Sequence, residues 1–253
     1  MLKRDKDTVS RPGMSPRTDP DREIPPLSPP FHNDAVLLSV IDSIVKGEDI
    51  NLFVETGAHV GSGLLYMAQT YPTLKCYSCE PHLPTYHKAE ENLKDVRARV
   101  SLFAGTSADF FQRFANVMPY MLEQPALFWL DAHSHGFGLP LPEELEFVTH
   151  QWTGGYILID DFKVPGHPGF GFDTYARGEI SWDLIKDSLA MDRVKGLCHP
   201  GYEPAPFPEG RGWLLVSFGA VRPWVPSEVL APKVFSPVDE SAVDLVGAEG
   251  GTG

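Results

Sequence analysis

Two stretches of this chain place carboxylates and imidazoles where chemistry can be done. One is FWLDAHSHG (Phe128–Gly136), in which an apolar run stops at Asp131 and is followed by His133 and His135. The other is GGYILIDDF (Gly154–Phe162), which stops at the pair Asp160–Asp161. The first pattern is compatible with a metal site, with a catalytic base and its helper, or with a strand that ends in a polar loop. If both runs are adjacent parallel strands, they lie roughly 4.8 Å apart and their three carboxylates meet at one rim. Like charges that close would force a proton onto one of them. A divalent cation at Asp131, Asp160 and Asp161 resolves the conflict, and an all-oxygen set suits Mg²⁺. The bland alternative has Asp160 capping the next loop and Asp161 in solvent.

In an extended stretch His133 and His135 share a face, so both can point at the same place. An unperturbed imidazole pKa of about 6.5 suits His133 to proton removal at neutral pH. As a ligand it would favour Mn²⁺, Fe²⁺ or Zn²⁺ over Mg²⁺. The base role ranks first, the ligand role second, and His135 supports either.

A second constellation lies upstream, in LFVETGAHVGSGLLYMA. Gly57, Gly61 and Gly63 mark a strand-to-helix turn where a ligand can approach the backbone. Glu80 ends the next apolar run, at about the spacing that nucleoside sites use for ribose hydroxyls. Glu55 stands two residues before the first glycine, where a carboxylate would repel a pyrophosphate but suit a ligand carrying positive charge. His59 inside the turn either faces a substrate or is only a turn residue.

The elements that must position these residues alternate along the chain. NLFVE, LKCYSCE, VSLFAG, ALFWLD and YILIDD are short apolar runs, separated by LLYMAQTY, PTYHKAEENLK, ADFFQRFANVM and PEELEFVTHQW at helical spacing. EISWDLIKDSLAM reads as a further helix and GWLLVSFG as a late strand whose direction stays open. Near-continuous apolar strands alternating with helices predict an α/β fold with a parallel sheet covered on both faces. Ligands in such sheets bind beyond the carboxyl ends of the strands. The run-ending residues there are Glu55, Glu80, Gly105, Asp131 and Asp160–Asp161, nearly all acidic.

ETGAHVGSG followed by Glu80 in SCEP resembles the first two motifs of the class I S-adenosylmethionine-dependent methyltransferases, over about residues 33–220. The resemblance implies a Rossmann-like, doubly wound, mostly parallel seven-stranded sheet with helices on both faces. It also implies that Glu55 and the Gly57–Gly61–Gly63 loop hold the methionine part of S-adenosylmethionine and that Glu80 binds the ribose. Thr106, Ser107 and Asp109 lie where the family contacts the adenine, which implies Ser107 as the contact, although a helix N-cap at Ser107 explains the same residues. The resemblance also implies that Asp131 borders the cofactor. The Asp131 and Asp160–Asp161 pattern is similar to the metal-dependent macrocin and novobiocin type of small-molecule O-methyltransferases. That implies a Mg²⁺ ion, or Mn²⁺ or another divalent metal, which positions the hydroxyl of a sugar, phenol or other natural product. His133 and His135 depart from the expected pattern. The loop KVPGHPGFGFDTY (Lys163–Tyr175) reads as a lid, in which His167, Phe170, Phe172, Asp173 and Tyr175 either line the acceptor pocket or pack the loop down.

Other readings remain. A metal-dependent hydrolase built on Asp131, His133, His135 and Asp160, with an activated metal-bound water as nucleophile, leaves Gly57, Gly61, Gly63 and Glu80 without a task. A metal-independent N-methyltransferase would use His133 alone. A non-catalytic cofactor-binding module leaves the clustered acids unexplained. Cys76 and Cys79 form a CxxC within a strand, where a spacing of three points the thiols apart, so neither zinc nor redox chemistry is expected.

The 253 residues are 42% hydrophobic and 22% charged, enough for one domain of roughly 200 residues. A net charge of -13 and a pI of about 5.0 disfavour nucleic acid and anionic membrane surfaces as partners. No apolar stretch reaches the roughly 20 residues of a membrane span, and the N-terminus lacks a signal-peptide core, so a cytoplasmic protein is expected. The expected organisation is a Pro-rich flexible tail over 1–30, a methyltransferase domain over 31–235 and an acidic, Gly-rich flexible tail over 236–253. The expected partner is a small-molecule acceptor, and a homo-oligomer is compatible with the family likeness.

Overall fold

The computed structural model describes residues 24–133, 138–205, 210–225 and 233–234. The first 23 residues of the expected N-terminal tail, the whole expected C-terminal tail and His135 lie outside the described residues. Five apolar runs form the strands β1 (Leu52–Thr56), β2 (Lys75–Glu80), β3 (Val100–Ala104), β4 (Ala126–Leu130) and β5 (Gly154–Ile159). They pair in parallel, with β1 between β2 and β4. After a separate two-stranded ribbon of β6 (Thr174–Tyr175) and β7 (Gly178–Glu179), the sheet is completed by β8 (Val194–His199), β9 (Leu214–Gly219) and the two-residue β10 (Lys233–Val234). The order is β10-β8-β9-β5-β4-β1-β2-β3. β9 runs antiparallel to both β5 and β8. The expected mostly parallel, seven-stranded, doubly wound α/β sheet is therefore present, with β10 added at one edge.

The helices are α1 (Ala35–Gly47), α2 (Ser62–Thr70), α3 (Leu83–Asn92), α4 (Ser107–Val117), α5 (Leu141–Gln151) and the short α6 (Trp182–Ile185). Alternation along the central strands explains the two-sided cover. In β4, Leu127 and Trp129 join the core under α1, α2 and α3, whereas Phe128 and Leu130 join the core under α4, α5 and α6. Both strand faces are apolar because both are buried. The same alternation puts Cys76 in the first core and Cys79 in the second, and both are free, buried thiols.

α1 was not among the expected helices. Asp34 caps it by accepting from the Val36 and Leu37 amides, and Leu37, Val40, Ile41 and Ile44 form its buried stripe, a helical spacing. The helix expected over Glu179–Met191 is cut to α6 and a 3₁₀ turn, Lys186–Ser188. Leu189 turns extended there, and the Ala190 amide donates to the Thr149 hydroxyl on α5. This tertiary bond replaces a further helical turn. Among the described residues, no helix is long and apolar enough to cross a membrane.

Candidate active site

β1 delivers Glu55 and Thr56 to the carboxyl edge of the sheet, and the glycine turn begins there. Gly57 (φ 83°) and Gly61 (φ 86°) adopt left-handed backbone that favours glycine. A β-carbon at Gly57 would overlap the Asp131 carbonyl oxygen, and one at Gly63 would overlap the Glu55 carboxylate. The turn thus lies pressed between the two acids. Glu55 is 3% exposed, and its Oε2 has no hydrogen-bond partner among the described residues. Burial pushes its carboxyl up to about 8, helped by Glu80 and opposed by the Ser78 hydroxyl.

Glu80, buried at the end of β2, accepts the His59 amide at 2.9 Å on one oxygen and the His82 amide at 2.9 Å on the other. These two bonds fasten the glycine turn to β2. Burial raises the Glu80 carboxyl, and the two amides oppose the rise. His59 itself is exposed, at φ 49°. The cap of α4 is Thr106, whose hydroxyl accepts the Asp109 amide, and not Ser107. Ser107 is instead buried beside Glu144 of α5, which also accepts from the Thr56 hydroxyl at 3.3 Å. Glu144 keeps one buried oxygen without a partner among the described residues, and burial raises its carboxyl to about 7.

β4 and β5 deliver the three aspartates to one rim. The Asp131 amide donates to Thr56 of β1, and the Asp160 amide donates to Leu130 of β4. The Asp160 carboxylate, almost fully buried, is gripped by His32 Nε2, at 2.8 and 2.9 Å from its two oxygens. Asp160 Oδ1 also accepts the Asp161 amide at 2.8 Å. Asp161, at φ 52°, contacts His133 Nε2 at 3.3 Å through Oδ2 and accepts from Arg211 Nε through Oδ1. Burial disfavours its ionisation, but His133 and Arg211 outweigh that and hold the carboxyl down at about 2.

Asp131 Oδ1 lies 3.5 Å from His133 Nε2, with the Asp131 side chain 35% exposed and that of His133 only 1%. Enclosure at the rim, then the charges of Asp160 and Asp161, raise the Asp131 carboxyl well above the usual carboxylate range. Burial opposes an imidazolium at both histidines. Even so, the neighbouring aspartates raise the pKa of His32 and of His133.

The expected lid divides in two. Asp173 and Tyr175 reach the rim: Arg211 Nη2 pairs with Asp173, and the Tyr175 hydroxyl lies 2.8 Å from the His133 carbonyl and 3.0 Å from Asp173 Oδ2. Phe170 is buried against Tyr202 and packs the loop down. His167 and Phe172 line a cavity of about 310 Å³ with Lys163 and Trp182, and none of the three aspartates is in its lining. His32, Arg211 and Glu144 are site residues that sequence reasoning missed. The only local signal was the burial-ready Phe31 beside His32, in a segment otherwise rich in proline.

Comparison with protein-family models and with curated proteins finds no match. Comparison with solved structures does. An O-methyltransferase from Bacillus cereus in complex with SAH matches with a TM-score of 0.55 at 14% identity, over 77% of this chain and 84% of that one. A Staphylococcus aureus protein assigned as a caffeoyl-CoA O-methyltransferase gives 0.52 at 14%, over 74% and 84%. A Klebsiella pneumoniae protein assigned as an O-methyltransferase gives 0.51 at 18%, over 76% and 84%. At these identities the likeness establishes a shared fold, the Rossmann-like architecture of those proteins.

Proposed function

We propose that this chain is an S-adenosylmethionine-dependent O-methyltransferase acting on a hydroxyl of a small molecule. The observation that carries the reading is Glu55. A carboxyl group buried to 3% exposure, with an oxygen that nothing among the described residues satisfies, is expensive unless a ligand completes it. It adjoins a glycine turn too tight for side chains. The ammonium of the cofactor's methionine part would supply both the missing hydrogen bond and the missing charge. The SAH-bound Bacillus cereus enzyme of the same fold supports this choice of ligand.

Beyond Glu55, the rim fits a divalent cation, since Asp131, His133 and Asp161 bring donor atoms within 4.8 Å of one another and the Asp131 side chain is 35% exposed, whereas Asp160, the third carboxylate expected there, is held by His32. The cofactor would supply the methyl group, and the cation the Lewis acidity that lowers the pKa of an acceptor hydroxyl. With a hydroxyl as acceptor, its proton would need a base at the rim, and the residues there that could hold it are His133 and Asp131. The chain's own task is mostly positioning. In this reading Glu55 and the glycine turn would orient the cofactor, Glu80 would bind its ribose, and Asp131 would stand between cofactor and acceptor. Two roles are open to His133 here, proton acceptor and ligand. A metal hydrolase is the weaker reading, since it leaves the unsatisfied Glu55 unexplained.

The test is calorimetric titration of S-adenosylmethionine and then Mn²⁺ into wild type and Asp131→Asn. Micromolar cofactor binding in both proteins, with metal binding weakened at least tenfold in the variant, is the expected result. Metal binding without cofactor binding in wild type would overturn the reading in favour of hydrolysis.

A further inference from the structure

We infer that the cation ligands within this rim are Asp131, His133 and Asp161, a set containing nitrogen that selects a transition ion such as Mn²⁺, Fe²⁺, Co²⁺ or Zn²⁺ over Mg²⁺. The inference deepens the methyltransferase reading by naming the ion class and its ligands, and rests on that reading only for the ion's purpose.

Distances separate ligands from hydrogen-bonding partners. A charge-assisted N–H···O bond spans about 2.7–2.9 Å, and the His32–Asp160 contacts at 2.8 and 2.9 Å are of that kind. His133 Nε2 behaves differently, at 3.3 Å from Asp161 Oδ2 and 3.5 Å from Asp131 Oδ1. Donor atoms each about 2.1 Å from one ion, at tetrahedral angles, are about 3.4 Å apart. Both His133 separations bracket that figure. The three donor atoms all lie within 4.8 Å of one another. Asp160 drops out, because both its oxygens are taken by His32 and one also accepts the Asp161 amide.

Burial and support agree with this assignment. The His133 side chain is 1% exposed, too enclosed to meet an acceptor hydroxyl, whereas Asp131 at 35% leaves one side of the triad open. An acceptor oxygen or water would approach from there. Arg211 holds the Asp161 oxygen that faces away from His133, and Asp173 in turn holds Arg211. The Tyr175 hydroxyl reaches the His133 carbonyl. Such outer contacts orient metal ligands. Chemistry then sets the preference. Mg²⁺ demands oxygen ligands in near-ideal octahedral geometry, whereas imidazole nitrogen suits the first-row transition ions.

The experiment uses the full chain, stripped with a chelator and then loaded with Mn²⁺, and reads nitrogen coupling to the bound ion by pulsed EPR. We expect the coupling of a directly bound imidazole in wild type and in Asp160→Asn, and its loss in His133→Ala. We also expect wild type to retain Mn²⁺ against a tenfold excess of Mg²⁺. The wild-type spectrum decides even if a variant fails to fold. Bound Mn²⁺ without nitrogen coupling, release by equimolar Mg²⁺, or no bound Mn²⁺ at all would overturn the inference. SAH titrated into the same wild-type sample separates the two readings. SAH binding without nitrogen coupling would sink the site and spare the methyltransferase. Coupling without SAH binding would do the reverse.

Discussion

At the scale of single residues, Glu55 makes the most direct claim on a ligand. Its folded pKa of about 8 exceeds the ordinary 4.5 because burial penalises the carboxylate. The sign follows from linkage: the folded, ligand-free protein holds a proton that the unfolded chain has lost. This contribution to stability is full below about pH 4.5 and disappears as pH rises through about 8. A bound ammonium reverses the preference. Cofactor binding at pH 7 should therefore release about one proton, measurable by calorimetry in buffers of different ionisation enthalpy. Glu55→Gln should abolish the release, and equal release by wild type and variant would retire the role. Glu55, Glu80 and the aspartates were legible in the sequence because each ends an apolar run. His32 was not: it lies 128 positions from Asp160, and nothing local announces the pairing. Arg211, 50 positions from Asp161, was hidden for the same reason.

At the scale of elements, the stretch before α1 carries His32 to the rim under strain. Phe31, His32 and Asn33 take φ of 49°, 55° and 57°, a conformation that asparagine tolerates but that costs about 1 kcal/mol or more at each of Phe31 and His32. What holds them is Phe31, buried edge-on against Trp129 and Tyr66 at centroid distances of 4.9 and 5.9 Å. Phe31→Ala should lower stability by about 3 kcal/mol, seen as a shift in the urea midpoint, and free His32 from Asp160. A midpoint unchanged within error would mean that the arm contributes no net packing. Elements with unbroken periodicity, such as α4 and β4, were readable from spacing alone. α6 was shortened by a bond to Thr149, and β8 was masked by exposed Lys195 and an irregularity between Val194 and Gly196. In both places tertiary contacts override local pattern.

At the scale of the whole molecule, the two halves of the site meet where the chain reverses its winding, with β1 beside β4 at the centre of the sheet. Alternation of strands and helices was enough to place the acids at one edge, because parallel strands all end on the same side. The antiparallel direction of β9 was not legible, since a buried strand reads the same both ways. One joint between the halves is backbone on backbone: Gly57 of the glycine turn against the carbonyl of Asp131. A methyl group there meets that oxygen and must also adopt φ 83°, so neither turn nor strand can yield alone. Glu55→Gln should weaken cofactor binding and leave the cation in place, and Asp131→Asn should do the opposite. Gly57→Ala should weaken both by tenfold or more in a protein that still melts cooperatively, as titration of SAH and Mn²⁺ into the same sample would read. Loss of cofactor binding alone would mean that the turn can move without disturbing Asp131, and the two halves would then be neighbours without being coupled.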